Sequence, residues 1–482
     1  MKKILFIIIA NILMLSCEKE LIEHPKSLAV ETFYNTTSEM DAAVAAIYAP
    51  LRDPNCLGAL YPGQMEAYSD FFYGRGSYAV LSTFQGLDGN NTNRVGAIWN
   101  LFYLAIRNAN IVIQNTPDGK ELTEIQKSQY IAEAKFLRAL TYFFMVRNWS
   151  GVPLRTEANM NDIEIPRSSE EDVYQLILED LAFAESNLPE TASLPGKPAK
   201  LAATTLLADV YFYKGDYPLA RDKANEVILS GKYSLVAVEN VEDFNKIYGP
   251  DVVTSPEEIF YLKYSHLGNN EGWYAVMLYH HPGAKMHGAG GFYAHYSDLI
   301  TNSVIANWDQ NDLRFHLWYN WDIGLGSNTI LNKKFSDPSA PGNYGAANDF
   351  PLYRFADVLL IYAESQCRAS GAPTEDAIEK LNMVHRRAYG RDATTPDPTV
   401  DFKLEDYDKD SFVDLCIKER GYETQAEGKR WPDLKRTGEV KERIKATTGK
   451  DVADKHLLWP IPVSELNYNS AINPSTDQNP GY

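Results

Sequence analysis

The stretch that most constrains the fold is residues 128–154, SQYIAEAKFLRALTYFFMVRNWSGVPL. Its apolar side chains recur at helical spacing, with Ile131, Ala134, Leu137, Ala139 and Leu140, then Phe143, Phe144 and Val146, while Glu133 and Lys135 fall between them. By Thr141 the apolar stripe has widened almost to the full circumference. A helix apolar on nearly every side must be covered on nearly every side, so this segment predicts a hub packed by several neighbours. Gly151 and Pro153 supply its stop.

The segments around the hub also read as helices. Residues 33–51 predict a helix starting at Thr37 or Ser38, and residues 98–114 return to helical period. A Pro117-Asp118-Gly119 turn then joins that helix to the hub as an αα-hairpin. Ser168 or Ser169, followed by Glu170 and Glu171, caps a helix running to Leu188. In residues 200–231, Leu207, Ala208, Tyr211, Gly215, Tyr217, Ala220, Ala224 and Val227 fall where a tetratricopeptide repeat places its large and small packing residues. A looser pair spans residues 354–390 and turns at Gly371-Ala372-Pro373. A long insertion separates these pairs, which argues against a plain tandem solenoid. Residues 54–94, dense in Gly, Asn and aromatics, read as loop.

Charge excludes some partners. The chain of 482 residues has a formal net charge of −18 and no compensating run of Lys and Arg, so phosphate backbones are repelled and nucleic acid is not expected as a partner. Anionic polysaccharides are disfavoured on the same ground, although local patches override a net figure. There is no Walker A loop, no HExxH and no GxSxG.

At the start, Lys2 and Lys3 precede an apolar run over residues 4–15, broken only by Asn11, as in a secretory signal too short to span a bilayer. Met14-Leu15-Ser16-Cys17 resembles the lipobox of bacterial lipoproteins. That resemblance implies cleavage before Cys17, acyl chains on it, and a tether from Glu18 to the start of the body near Phe33. The other cysteines, Cys56, Cys367 and Cys416, make no disulfide framework and no CxxC metal pattern. They allow at most one bridge, and Cys367 and Cys416 read better as small buried hydrophobes.

Three chemical readings compete with simpler ones. Glu419, Glu423 and Glu427 share a helical face and could be glycosidase acids, but interleaved with Arg420, Lys429 and Arg430 they read better as an ion-pair network. Asp406, Asp408 and Asp410 suggest a calcium loop, yet Ser411 and Ile417 stand where its glycine and bidentate glutamate belong, and helix capping before Phe412 explains them better. His280, His281, His287 and His295 lack regular ligand spacing, so no metal and no cofactor is expected.

Six segments in order resemble the SusD/RagB family of outer-membrane lipoproteins of Bacteroidetes. They are FLRALTYFFMVRNWSGVPL at 136–154, the repeat at 201–231, LYRFADVLLIYAES at 352–365, LNMVHRRAYG at 381–390, KERGYETQAEGKRWPDLKRTG at 418–438 and the ending at 458–482. The resemblance implies a mostly α-helical body of tetratricopeptide-like pairs with a loop-rich ligand-binding region inserted. It divides the chain into a signal peptide (1–16), a lipidated cysteine and tether (17–32), an N-terminal region (33–231), an aromatic insertion (232–351) and a C-terminal region (352–482). It further implies a non-enzymatic, glycan-binding lipoprotein anchored in the outer membrane and facing outwards. Such a protein closes as a lid over a SusC-like TonB-dependent transporter. Capture of peptide within the same family, or a scaffold role without ligand, are the alternatives.

Two aromatic-rich segments outside the helical framework are the candidate ligand site. One supplies Tyr68, Asp70, Phe72, Tyr73, Arg75 and Tyr78; the other supplies Trp273, Tyr274, Tyr279, His281, Trp318 and Trp321. A sugar ring has an apolar C–H face and a hydroxyl rim, so it seats on a flat aromatic beside Asp, Arg or His. The competing reading is that these aromatics pin long loops to the body.

Overall fold

A computed structural model describes residues 33–266, 272–341 and 345–482. The signal segment, Cys17 and the tether lie outside the described residues.

The helical body is built from α1 (Thr37–Arg52), α2 (Leu60–Ala67), α3 (Gly89–Asn115), α4 (Glu124–Trp149), α5 (Glu170–Asn187), α6 (Lys200–Lys214) and α7 (Tyr217–Leu229), followed by α8 (Phe355–Ser370), α9 (Glu375–Ala388), α10 (Lys409–Glu423) and α11 (Arg430–Arg436). Local chemistry sets the starts. Thr36 with Glu39, Thr123 with Gln126 and Ser169 with Asp172 form capping boxes that satisfy the first free N–H groups of α1, α4 and α5. Gly215 at φ 84° and Gly371 at φ 80° close α6 and α8 in the left-handed conformation, where a side chain would be strained.

The hub is α4. From Ala132 to Trp149 nearly every side chain is buried, and the helix packs against α1, α3, α5 and α6. Packing then continues from α6 to α7, from α7 to α8, and from α8 to both α9 and α10. The two repeat pairs, far apart in sequence, are therefore neighbours in space: the chain leaves the stack after Leu229, and its return as α8 lies directly on α7. The pairs are thus not tandem in sequence, as expected, but they are in contact. An insertion interrupts the sequence but not a helix–helix interface, because both ends of the excursion lie at the same edge of the stack.

Residues 54–94 also hold more helix than their composition suggests. α2 is buried from Tyr61 to Ala67, and α3 begins at Gly89, not Ile98, because Asp88 caps a polar first turn that has no apolar periodicity to reveal it.

The insertion contributes most of the strands. β1 (Tyr73–Gly74), β3 (His295–Asp298), β5 (Thr329–Asn332) and β4 (Trp318–Asn320) form an antiparallel sheet in that order, with Tyr73 opposite Tyr296 and Trp318 opposite Asn332. β2 (Glu258–Leu262) pairs with β6 (Phe350–Arg354), and β6 runs directly into α8. The larger sheet rests on α2, where His295 Nε2 lies 2.8 Å from the Gly63 carbonyl.

Buried ion pairs join insertion and body. Glu423 at the end of α10 meets Arg354 at the start of α8, Arg387 of α9 at 2.5 Å and Arg314 of the insertion at 3.3 Å. Glu419 takes Arg314 at 2.8 Å, and Glu427 takes Lys334 at 2.6 Å and Arg354 at 2.7 Å. Burial by itself would raise the Glu423 carboxyl, but Arg387, Arg354 and Arg314 outweigh it and hold it well below the usual carboxylate range. Burial likewise opposes, and Arg314 and His385 overcome, in holding Glu419 down at about 2. These glutamates are inaccessible and fully engaged, which removes the glycosidase-acid reading. Asp408 caps α10 by accepting from the Ser411 N–H at 2.9 Å, the capping role in place of a calcium loop. Cys56, Cys367 and Cys416 are buried as free thiols.

Two outcomes follow. Glu423→Ala takes one shared carboxylate from three buried guanidinium groups and should cost about 3–5 kcal/mol in chemical denaturation. Because the network carboxyls are depressed, their contribution is complete above the ordinary glutamate value of 4.5 and is lost as pH falls towards about 2 for Glu419. Acid titration followed by near-ultraviolet circular dichroism should show tertiary packing lost in that window, with the E423A transition displaced to higher pH.

Candidate functional site

The structure sorts the candidate residues by accessibility. Trp273 has 0% exposure; its indole N–H donates to the Leu57 carbonyl at 3.2 Å, and its ring packs on Phe335 and Phe350. Trp318, at 6%, packs on Phe72, which also meets Tyr279, and all three lie in the core under the sheet. Tyr68 stacks on Trp431 of α11 with ring centroids 5.0 Å apart. Asp70 accepts two bonds from Arg430, both at 2.7 Å. Five aromatic candidates, Tyr68, Phe72, Trp273, Tyr279 and Trp318, are thus corrected to loop anchors, and Asp70 to half of a buried ion pair. Long irregular segments can bury their backbone only if large apolar side chains carry them onto the body.

The remaining candidates share one face. Tyr73 pairs across the ladder with Tyr296, rings 5.6 Å apart. The half-buried His281 lies 4.6 Å from the ring of Tyr293 and 5.3 Å from that of Trp321. The Arg75 guanidinium sits 4.4 Å above Tyr293, and the Arg75 backbone N–H donates to the Ala294 carbonyl at 2.7 Å. Tyr293, His281 and Trp321 therefore make a partly exposed aromatic shelf beside the outer strands.

Backbone geometry supports this shelf. A Cβ on Gly283 would approach the Trp321 ring to 2.9 Å, and one on Gly291 would strike the His280 carbonyl at 2.3 Å, so both positions need glycine for the close approach. Tyr293 holds φ 38°, a left-handed conformation that is costly for a bulky side chain and is enforced by its N–H bond to the His280 carbonyl at 2.9 Å. Next to the shelf lies an open cleft of about 450 Å³, lined by Arg75, Tyr78, Arg94, Tyr274 and Phe292 among others. Tyr78 is buried at its wall with Arg94 3.9 Å over its ring, while Phe292 is 56% exposed.

His280 and His295 are buried, with their Nε2 atoms 2.6 and 2.8 Å from backbone carbonyls. Burial pushes both imidazoles down to about 4, so they stay neutral at ordinary pH. Among the described residues no group of His, Cys, Asp and Glu is arranged to hold a metal.

Tyr296, Phe292 and Arg94 complete this face without having been marked by sequence. The signal available for the first two was the run GGFYAHY at 290–296, where aromatics alternate beside paired glycines. Arg94 sits in a polar helix start whose chemistry is visible only once that helix is placed against the turn at Gly76–Tyr78.

With fold and site described, the comparisons define the class. Residues 239–482 match the SusD family, and residues 25–212 match a family described as starch-binding associating with outer membrane. The chain belongs to the SusD family, a family of non-enzymatic carbohydrate-binding proteins associated with the outer membrane. It is similar to SusD-like protein P38 of Formosa agariphila, 28% identical over 97% of this chain and 96% of the relative. Among solved structures it resembles a SusD homolog from Bacteroides thetaiotaomicron, with TM-score 0.78 and 22% identity over 94% of this chain and 98% of that one. It also resembles surface glycan-binding protein A from Bacteroides fluxus, with TM-score 0.74 and 21% identity over 93% of this chain and 100% of that one. Among the described residues no helix is long and apolar enough to cross a membrane.

Core and shelf tryptophans should separate in stability. Trp273→Ala removes a fully buried ring and should cost about 3–5 kcal/mol. Trp321→Ala should stay within about 1 kcal/mol of the parent in the same denaturant titration.

Proposed function

We propose that the protein captures a glycan on the aromatic shelf of Tyr293, His281 and Trp321 and delivers it to a SusC-like TonB-dependent transporter, over which it closes as a lid. The observation that carries this reading is the accessible grouping of three rings on a glycine-shaped face outside the helical stack. Rings of this kind cover the C–H face of a sugar, while Arg75 and the His281 imidazole border it with groups able to meet hydroxyls. Tyr73, Tyr296 and Tyr274 extend the same face. The name of the Bacteroides fluxus neighbour, a surface glycan-binding protein, supports this choice of ligand.

Delivery needs the binding face held near the transporter yet able to swing. A lipid on Cys17 and a tether up to Phe33 supply both, placing the body at the outer face of the outer membrane. Several acyl chains on one residue hold a protein to a bilayer where one chain does not. Affinity is expected to be moderate, about −8 kcal/mol at micromolar Kd, since a tightly held ligand would not be handed on. The broad helical stack offers a rigid support on which the site can move as a unit.

Calorimetric titration of the protein against neutral glycans, charged glycans and peptides tests this reading. Binding to one glycan class without turnover is expected, with Trp321→Ala and Tyr293→Ala each weakening it at least about tenfold. Binding to peptides alone would replace the glycan reading. Affinities unchanged in both variants would remove the shelf as the site.

A further inference from the structure

We infer that the cleft beside the shelf receives an anionic substituent, a carboxylate or sulfate ester, so that the glycan captured is a charged one. This deepens the glycan-capture reading and rests on it. The observation is a local inversion of charge. The chain carries 64 acidic and 46 basic residues, yet among the described residues lining this cleft there is no Asp or Glu, while Arg75 and Arg94 both line it.

Most buried arginines elsewhere in the molecule are consumed by carboxylates. Arg314, Arg354, Arg386, Arg387, Arg420, Arg430 and Arg436 each make ion pairs. Two other open clefts, about 540 and 520 Å³, have mixed charge, with Arg443 paired to Asp414 in one and Lys232 paired to Glu190 in the other. By contrast, among the described residues neither Arg75 nor Arg94 has a carboxylate within ion-pairing distance. Arg94 is held in place by neutral acceptors, the Ser77 hydroxyl at 2.6 Å and the Asn91 side-chain carbonyl at 2.9 Å. The nearest acidic influence is Asp88, whose carboxyl already accepts the Asn91 N–H.

Stacking leaves the two guanidinium groups usable. Arg94 lies over Tyr78 and Arg75 over Tyr293, and a guanidinium stacked on an aromatic face keeps its in-plane N–H groups for a planar or tetrahedral oxyanion. Arg75 borders both surfaces: its ring partner Tyr293 belongs to the shelf and its own side chain lines the cleft. A sugar ring seated on the shelf therefore has a cationic recess beside it. Two unpaired cations facing one cleft raise the local potential against the net −18 of the molecule, whose sign alone would turn anionic polymers away.

The test uses matched pairs that differ only in charge: an oligogalacturonate with its carboxyl-reduced counterpart, and a sulfated galactan oligosaccharide with its desulfated form, titrated calorimetrically into the protein. The charged member of one pair should bind about tenfold or more tightly than the neutral member and weaken as ionic strength rises. The pair that responds tells carboxylate from sulfate. Arg75→Gln should abolish that preference while leaving the melting temperature unchanged, since its side chain is exposed. Arg94→Gln should do the same, with its melting curve reporting any loosening at Ser77.

If neutral members bind as tightly as charged ones and Trp321→Ala still abolishes binding, the anionic class is wrong and glycan capture stands. If charge preference survives both arginine variants, the cleft is not its source. If neither pair nor any other glycan binds, both readings fall together.

Discussion

The interaction on which the rest of the molecule depends is the Glu423 carboxylate, shared among guanidinium groups from α8, α9 and the insertion. Each partner comes from a different part of the chain, so the pairing fixes how they sit together. A buried carboxylate surrounded this way gains little net stability over apolar packing, because desolvating four charges costs nearly what their attraction returns. What it provides is register. Arg314 reaches Glu423 only if the insertion lies in one position on the helical stack.

That position determines the outer face. With the insertion pinned from beneath, the sheet can settle on α2 and the large aromatics divide into two populations. Phe72, Trp273, Tyr279 and Trp318 turn inward and hold the irregular backbone to the body. Tyr293, His281 and Trp321 are left at the surface, grouped by two glycines that admit close approach and by one strained tyrosine. The shelf is thus what remains when the insertion's anchoring requirement has been met. Its cationic border is supplied by Arg75 and Arg94, which are stacked on tyrosines, whereas the guanidinium groups beneath the insertion are committed to carboxylates.

The helical framework was largely legible in advance because its determinants are local. Periodic apolar residues mark α4, Ser169 marks the start of α5, and Gly215 and Gly371 mark the turns of the two pairs. The start of α3 was hidden because Gly89 to Asn93 satisfy a capped polar turn and show no periodicity. The carboxylate run at Glu419, Glu423 and Glu427 could be read as paired from its interleaved cations. Of those cations Lys429 does pair with Glu427, at 2.9 Å, while the partners Arg314, Lys334, Arg354 and Arg387 lie far away in sequence and could not be read from it.

By itself the sequence determined a helical stack organised on residues 128–154, a charge balance hostile to nucleic acid, and the aromatic segments from which the shelf is drawn. Each of these depends on composition or on neighbours a few residues apart. Only the tertiary structure decided that the repeat pairs touch, and which aromatics are anchors and which form the shelf. Tryptophan in a loop has the same local signature in either role. Whether its ring is buried, like Trp273, or accessible, like Trp321, is set by what the rest of the chain packs over it.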